Sequence, residues 1–289
     1  MSGDCVTLRV LGAGAAFSRR YGTTCSLLTL ASGERWLIDC GRQAPEQLWR
    51  AGLSWHDITG QLLTHVHGDH AYGLEEFAFV RYYSDGDGVP AVLSLGPRPL
   101  LVGHSAVLSE LWEVLGPSLR YRTDKAGNAV QGTLDDYFEV VAPESSERPL
   151  ESAWNHAEAF SARGLHVVAR ETKHVAGKPS MCFEISLPGA SNRIAWWSGD
   201  SVVDVERLER LEERTTIFFH DCTFAAVTGQ VHGAFSDFER LRPSLRSKIV
   251  LMHHEDDVER YRARAEALGF RVCMPGDVYD LVSGQRLSR

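Results

Sequence analysis

Apolar residues recur along this chain in short runs rich in valine, isoleucine, leucine and aromatic side chains, each bounded by glycine, proline or charged positions. That pattern predicts strands at Val6–Leu11, Ser26–Leu30, Trp36–Asp39, Leu62–Thr64, His166–Arg170, Met181–Leu187, Arg193–Trp197, Ile217–Phe219, Ile249–Met252 and Arg271–Met274. Helical stretches lie between them. Pro45–Ala51 opens on a proline, which suits a first helical turn, and Asp257–Leu268 runs into Gly269, a residue that readily ends a helix. Ala71–Tyr83 and Ser105–Leu115 also read as helices, with a glycine-rich loop at Asp85–Gly88 and a strand at Ala91–Leu95 between them. From Pro117 to Glu158 the periodicity weakens. Proline, glycine, serine and glutamate there predict loops broken by one strand at Tyr137–Val141. Strands interleaved with helices place the chain in the α/β class. No boundary is visible, so residues 1–289 read as a single domain whose variable segment at 117–158 serves as a lid or dimer element.

Composition narrows the partners. With 289 residues, 44% of them hydrophobic, the chain can bury a full core. Six cysteines are widely spaced with no Cys-x-x-Cys pair, the usage of a reducing cytosol. The start, Met1-Ser-Gly-Asp-Cys5, lacks the basic and apolar regions of a signal peptide, and the apolar runs are too short to span a bilayer. A cytoplasmic protein without a membrane partner is therefore expected. The formal charge is −8. Basic residues are scattered, apart from 240–248 and 260–264, which read as solvated faces. Proteins that grip long RNA display a basic footprint, because phosphate contacts supply most non-specific affinity. None is legible in the linear sequence.

The densest chemistry is Thr64-His65-Val66-His67-Gly68-Asp69-His70, three imidazoles and a carboxylate directly after an apolar run. If a strand ends at Thr64 and a helix begins near Ala71, the turn throws His65 and His67 to one side. Asp69 and His70 then diverge toward a second position nearby. Imidazole with some carboxylate suits zinc and related divalent ions, and the absence of cysteine argues against a closed structural site.

This segment resembles the signature of the metallo-β-lactamase superfamily. Val6-Thr-Leu-Arg-Val-Leu-Gly-Ala-Gly14 and Trp36-Leu-Ile-Asp-Cys-Gly41 resemble the opening strand and the following segment of its ribonuclease Z branch, and Gly73-Leu74 follows in the family's order. Downstream, Trp197-Ser-Gly-Asp200-Ser resembles the turn that carries a bridging aspartate. Phe219-His-Asp221-Cys-Thr-Phe224 resembles a ribonuclease Z segment with Asp221 in place of glutamate. His174 precedes an apolar strand, and Ile249-Val-Leu-Met-His253 ends an apolar strand in a histidine. His253 is favoured over His254 for the last ligand by its place at the strand's end.

The resemblance implies an αββα sandwich of two facing sheets with outer helices. It also implies one ion held by His65, His67, His174 and Asp200, and another held by Asp69, His70, His253 and Asp200. The ions would be two divalent metals, zinc in the first place and manganese as the alternative. Water between two such cations ionises near neutral pH, which makes hydrolysis the expected reaction. Asp69, His232 and Asp221 are the candidate catalytic groups: His232 would protonate a leaving alkoxide, oriented by Asp221. Asp39 would accept the free ring N–H of a ligand histidine. His220 is expected to be structural, and His56, His104, His156 and His166 to be surface or packing residues.

Ribonuclease Z enzymes that process transfer RNA carry a projecting arm between the third-site histidine and the bridging aspartate. Here 25 residues separate His174 from Asp200, which two strands use up, so the arm is missing. A metal centre of this type without the arm resembles the superfamily's small-molecule phosphodiesterases, including the anti-Pycsar enzymes that destroy cyclic pyrimidine signals. The reading is a binuclear metal-dependent phosphodiesterase opening a cyclic nucleotide by attack of a metal-bridging hydroxide, and a homodimer. Tyr72, Phe77, Trp154 or Trp197 are candidates to stack on the base, with core packing the commoner job for any one of them. The alternatives are tRNA 3′-end processing, and hydrolysis of other esters, sulfate esters or lactones. A scaffold protein that had lost its metals would lack ligands, and here every expected position is filled.

Overall fold

The computed structural model describes residues 5–84, 97–124, 126–147, 156–189, 192–225 and 229–288. Two eight-stranded sheets dominate it. The first has the order Gln285–Ser288, Val278–Asp280, Thr7–Gly12, Cys25–Thr29, Arg35–Ile38, Gly60–Leu63, Leu100–Gly103, Glu139–Val140. The second runs Arg271–Val272, Ile249–Met252, Thr215–Asp221, Ile194–Trp197, Met181–Ser186, Leu165–Glu171, Ala157–Ala162, Ser145–Glu147. Each sheet is antiparallel toward one end and parallel toward the other.

The hydrophobic pattern explains the layers. In Thr7–Gly12, Leu8 and Val10 enter the core while Thr7 and Arg9 are half-exposed, the alternation of a strand with one covered face. In the parallel strands every residue of Ile249–Met252 and Thr215–Asp221 is buried, because both faces are covered. Trp197, Phe219 and Val250 join residues of the first sheet in the inter-sheet core, whereas Trp196, Phe218 and Leu251 pack under helices such as Val205–Leu211 and Glu259–Ala267. The helices Ala44–Arg50, Leu74–Tyr83 and Ser105–Leu119 add Leu48, Phe77 and Leu111 to the first core. The result is helix, sheet, sheet, helix, the sandwich expected from the sequence.

Three expectations are corrected. The helix from Ser105 runs through Pro117 to Leu119, because Leu119 is wholly buried and anchors that last turn. Pro117 therefore does not open the variable segment. Within 117–158, Tyr137 ends a short helix, Leu134–Tyr137, and its hydroxyl donates to Leu119 O at 2.7 Å. The strand begins only at Glu139. The segment also holds an antiparallel hairpin, Tyr121–Thr123 with Ala129–Gln131, and the strands Ser145–Glu147 and Ala157–Ala162 reach into its far end. Finally, the helix expected at Ala71–Tyr83 is two helices, Gly68–Ala71 and Leu74–Tyr83. At their junction a Cβ on Gly73 would lie 2.5 Å from Gly41 O. The loop at Asp85–Gly88, the strand at Ala91–Leu95 and Trp154 lie outside the described residues.

Candidate metal centre

Strand ends of both sheets meet at one edge. There His65 forms an isolated bridge with Ser180, and Met181 N–H donates to Thr64 O at 3.0 Å. His65 and His67 leave the strand Gly60–Leu63, and Asp69 and His70 lie on Gly68–Ala71. That short helix packs against the segment 40–42, with Cys40 N–H donating to His70 O at 2.7 Å and Arg42 N–H to Gly68 O at 3.0 Å. Gly41 makes this approach available, since a Cβ there would lie 1.9 Å from Asp69 O. The second sheet delivers His174 after Leu165–Glu171, Asp200 after Ile194–Trp197 and His253 after Ile249–Met252.

The polar atoms form two groups with one member in common. His65 Nε2 lies 3.0 Å from His67 Nδ1, which is 3.3 Å from His174 Nε2. Asp200 Oδ2 is 3.6 Å from His65 Nε2 and 4.0 Å from His174 Nε2. On the other side, Asp69 Oδ2 is 3.3 Å from His70 Nε2 and 3.2 Å from His253 Nε2. Asp200 reaches both of these imidazoles, at 3.5 Å each. Two ligand atoms each about 2.1 Å from one tetrahedral ion stand roughly 3.4 Å apart, so these separations suit two divalent ions. His70 Nε2 supports the fit, being buried without a hydrogen bond of its own. The donor set of imidazole and carboxylate is one that divalent metals accept.

The electrostatics agree with the geometry. Burial pulls His65 and His67 below the ordinary histidine value, which keeps them in the neutral form that binds metal. Burial acts the same way on His70 and His253, but there it is outweighed by carboxylates, Asp200 above all, and His253 rises to about 9. Asp69 and Asp200 are held below the usual carboxylate range despite burial, because His70 and His253 face them. A buried, charged pair of aspartates without any lysine or arginine among these partners is an arrangement that calls for cations.

Support comes from the layer behind. Asp39 is wholly buried and adopts φ +60. It accepts from His70 Nδ1 and from Thr64 N, each at 2.9 Å, and burial nevertheless raises its pKa. This bond fixes the His70 tautomer and turns Nε2 toward Asp69 and Asp200. His253 adopts φ +56. The left-handed residue ends the strand and sends His253 into the cluster, while His254 turns away to Cys273 O, 3.0 Å from its Nε2. Such strain in non-glycine residues is found where the surroundings enforce it, often at functional sites.

His232 and Asp221 adjoin the cluster. His232 Nδ1 donates to Asp221 Oδ2 at 3.2 Å and lies 3.7 Å from Asp200 Oδ2, and its ring stacks on His253 at 4.9 Å. Asp221 also accepts from Ser198 Oγ at 3.0 Å and from the N–H groups of Ser201 and Gly233 at 3.2 Å. Burial pushes Asp221 up, yet bonds from His220 and His232 prevail and hold it below the usual range. His220 is buried beside it, as expected of a structural residue.

A cavity of about 340 Å³ opens here, lined by His232, His253, Gln230, Thr223 and the segment Ala15–Ser18. Phe17 is its aromatic, 86% exposed. Sequence reasoning missed Phe17, which sits in no regular element and matches no motif. Phe77 and Trp197 are core residues, and Tyr72 is half exposed. His166 is exposed and His56 half-buried, whereas His104 and His156 meet edge-on at 4.4 Å beside Glu158, a separate group.

Comparisons with known proteins converge. A family model described as anti-Pycsar protein Apyc1 matches residues 6–274. The anti-Pycsar protein Apyc1 of Paenibacillus sp. (strain J14) is 32% identical over 268 residues, 91% of this chain and 95% of that protein. Among solved structures, the metallo-β-lactamase fold protein YhfI from Bacillus subtilis superposes with a TM-score of 0.68 at 16% identity, covering 96% of this chain and 99% of that one. The short form of human tRNase Z gives 0.63 at 19% identity, covering 95% and 99%. The fold is the metallo-β-lactamase fold.

Proposed function

This chain belongs to the anti-Pycsar protein Apyc1 family, and we propose that it is a metal-dependent phosphodiesterase that opens a cyclic nucleotide. The observation that carries this reading is the position of Asp200, whose carboxylate lies between two groups of buried ligands and is shared by both. His65, His67, His174 and Asp200 would hold one divalent ion, and Asp69, His70, His253 and Asp200 the other. When bound, such ions supply Lewis acidity and lower the pKa of water at the site, and zinc is the metal we favour.

The chain's own residues supply the rest. His232, with Nδ1 committed to Asp221, has Nε2 left to hold a proton for the departing alkoxide. Asp221, fixed by Ser198, Ser201 and Gly233, sets the ring's orientation. The cavity is of the size that takes a small ligand rather than a duplex, and exposed Phe17 offers a face for a base. Between His174 and Asp200 the described residues hold two paired strands and their connections, which leaves no projecting RNA-binding arm among them. The hairpin Tyr121–Thr123/Ala129–Gln131, with Tyr121 66% exposed, is the part of the variable segment that we assign to a lid or to the contact between two copies.

The test is turnover of purine and pyrimidine 3′,5′-cyclic nucleotides by metal-loaded protein, with a transfer RNA precursor alongside. Opening of cyclic nucleotides with the RNA left intact is expected. Cleavage of the precursor alone would replace this reading with tRNA 3′-end processing.

A further inference from the structure

On the far side of the segment that walls the catalytic cavity lies a second and larger one, of about 540 Å³. Arg9, Arg19, Arg20, Arg42 and Arg50 all line it, and Glu46 is the one carboxylate among its lining residues. In a chain of net charge −8 this is a local excess of positive charge. The arginines come from four separate stretches of the chain. Arg9 projects from the half-exposed face of Thr7–Gly12, Arg19 and Arg20 sit in the loop that follows, Arg42 precedes the helix Ala44–Arg50, and Arg50 ends it.

Two carboxylates offset part of this charge: Glu46, and Asp256, which accepts from the backbone N–H groups of Arg19 and Arg20 at 3.0 and 3.1 Å and feels the Arg20 charge. Arg50 pairs with Glu46 at 2.9 Å on the surface. Arg9 donates to Ala51 O at 3.3 Å, Arg20 to Asp256 O at 3.4 Å, and Arg42 to Ala16 O, all of which are uncharged carbonyls. Guanidinium groups held this way keep donors for an anion, and their planar forks match phosphate oxygens. A second feature is apolar. Tyr21 lines the cavity beside the arginines and adds an aromatic wall, while Gln47, 8% exposed, ties the helix Ala44–Arg50 to the loop by donating through Nε2 to Thr23 O at 2.8 Å. A bare phosphate has nothing to lay on an aromatic face, whereas a nucleoside brings a base that can stack there.

We propose that this cavity is a second ligand site that takes a phosphorylated nucleoside, with its phosphates on the arginines and its base against Tyr21. The site is separate from the metal centre but shares a wall with it. Ala16, Phe17 and Ser18 line the catalytic cavity, Arg19–Gly22 line this one, and Arg42 grips Ala16 from behind.

The experiment is calorimetric titration of the full metal-loaded chain with ADP, with pyrophosphate and with transfer RNA, at two salt concentrations. Three proteins are compared: the wild type, Asp200→Ala, and the double variant Arg19→Ala/Arg50→Ala, whose side chains lie outside the catalytic machinery. ADP is expected to bind the wild type and Asp200→Ala with equal affinity within about twofold, and the double variant at least about tenfold more weakly. Pyrophosphate should bind more weakly than ADP. Loss of ADP binding in Asp200→Ala would place the nucleotide in the catalytic cavity and overturn the proposal, as would unchanged binding in the double variant. Pyrophosphate equal to ADP would refute the nucleoside part. Transfer RNA binding that falls steeply with salt, with no ADP binding, would make the cavity part of a nucleic-acid surface instead.

Discussion

At the scale of single residues, this protein shows how a side chain is defined by the partner behind it. His70 and His232 are both histidines beside Asp200, but Asp39 holds the Nδ1 of one and Asp221 that of the other, and the surroundings differ. His70 is buried with Nε2 aimed at two carboxylates, whereas the His232 side chain is 26% exposed and faces the cavity. The first is locked in place, whereas the second is open to whatever occupies the cavity. His232→Ala should therefore slow poor alkoxide leaving groups by about 10²-fold or more, with little effect on an activated aryl phosphodiester. Steady-state rates on the two substrate types check this, and equal losses on both would remove His232 from the role of acid. That His65, His67, Asp69, His70 and Asp200 gather in one place was legible from the dense histidine run and from the Ser-Gly-Asp turn. Phe17 was not, because its place beside the cavity follows only from how its loop folds.

At the scale of elements, the site depends on how closely two backbone segments approach. The short helix Gly68–Ala71 carries Asp69 and His70, and it rests on the segment 40–42 through backbone hydrogen bonds that only Gly41 permits. Gly41→Ala forces the two apart, because the obstructing atom is a carbonyl oxygen of the backbone rather than the end of a flexible side chain. We expect a loss of about 1–3 kcal/mol of stability together with lower bound metal, read by thermal unfolding and elemental analysis. A variant with full metal content and unchanged Tm would show that this approach is not required. Sequence patterning located most strands to within a residue or two, since short apolar runs flanked by turn formers mark them. It missed the strands Leu100–Gly103, Ala157–Ala162, Val278–Asp280 and Gln285–Ser288, and it misplaced the ends at Leu119 and Tyr137. A local reading gives Pro117 as a helix end, yet the burial of Leu119 one turn later holds the helix together, and Tyr137 is bonded back to that same turn.

At the scale of the whole molecule, the candidate metal centre joins the two halves of the sandwich. The first sheet and its loop provide His65, His67, Asp69 and His70, and the second provides His174, Asp200 and His253. Ions held there would bind the folded chain and not the unfolded one, so chelation should lower Tm and added zinc should restore it. Free ion at a hundred times its Kd corresponds to about 2.7 kcal/mol. A Tm indifferent to chelator would mean that the site binds no metal of consequence to the fold. The sequence by itself determined the α/β class and the histidines and aspartates that stand at the strand ends, because periodicity and residue chemistry are local properties. Only the tertiary structure decided that Asp200 lies between both ligand groups, that His253 and not His254 turns inward, and that arginines from four separate stretches form one cavity. Those are facts of convergence between distant segments, and in the linear sequence the same arginines read as scattered charge.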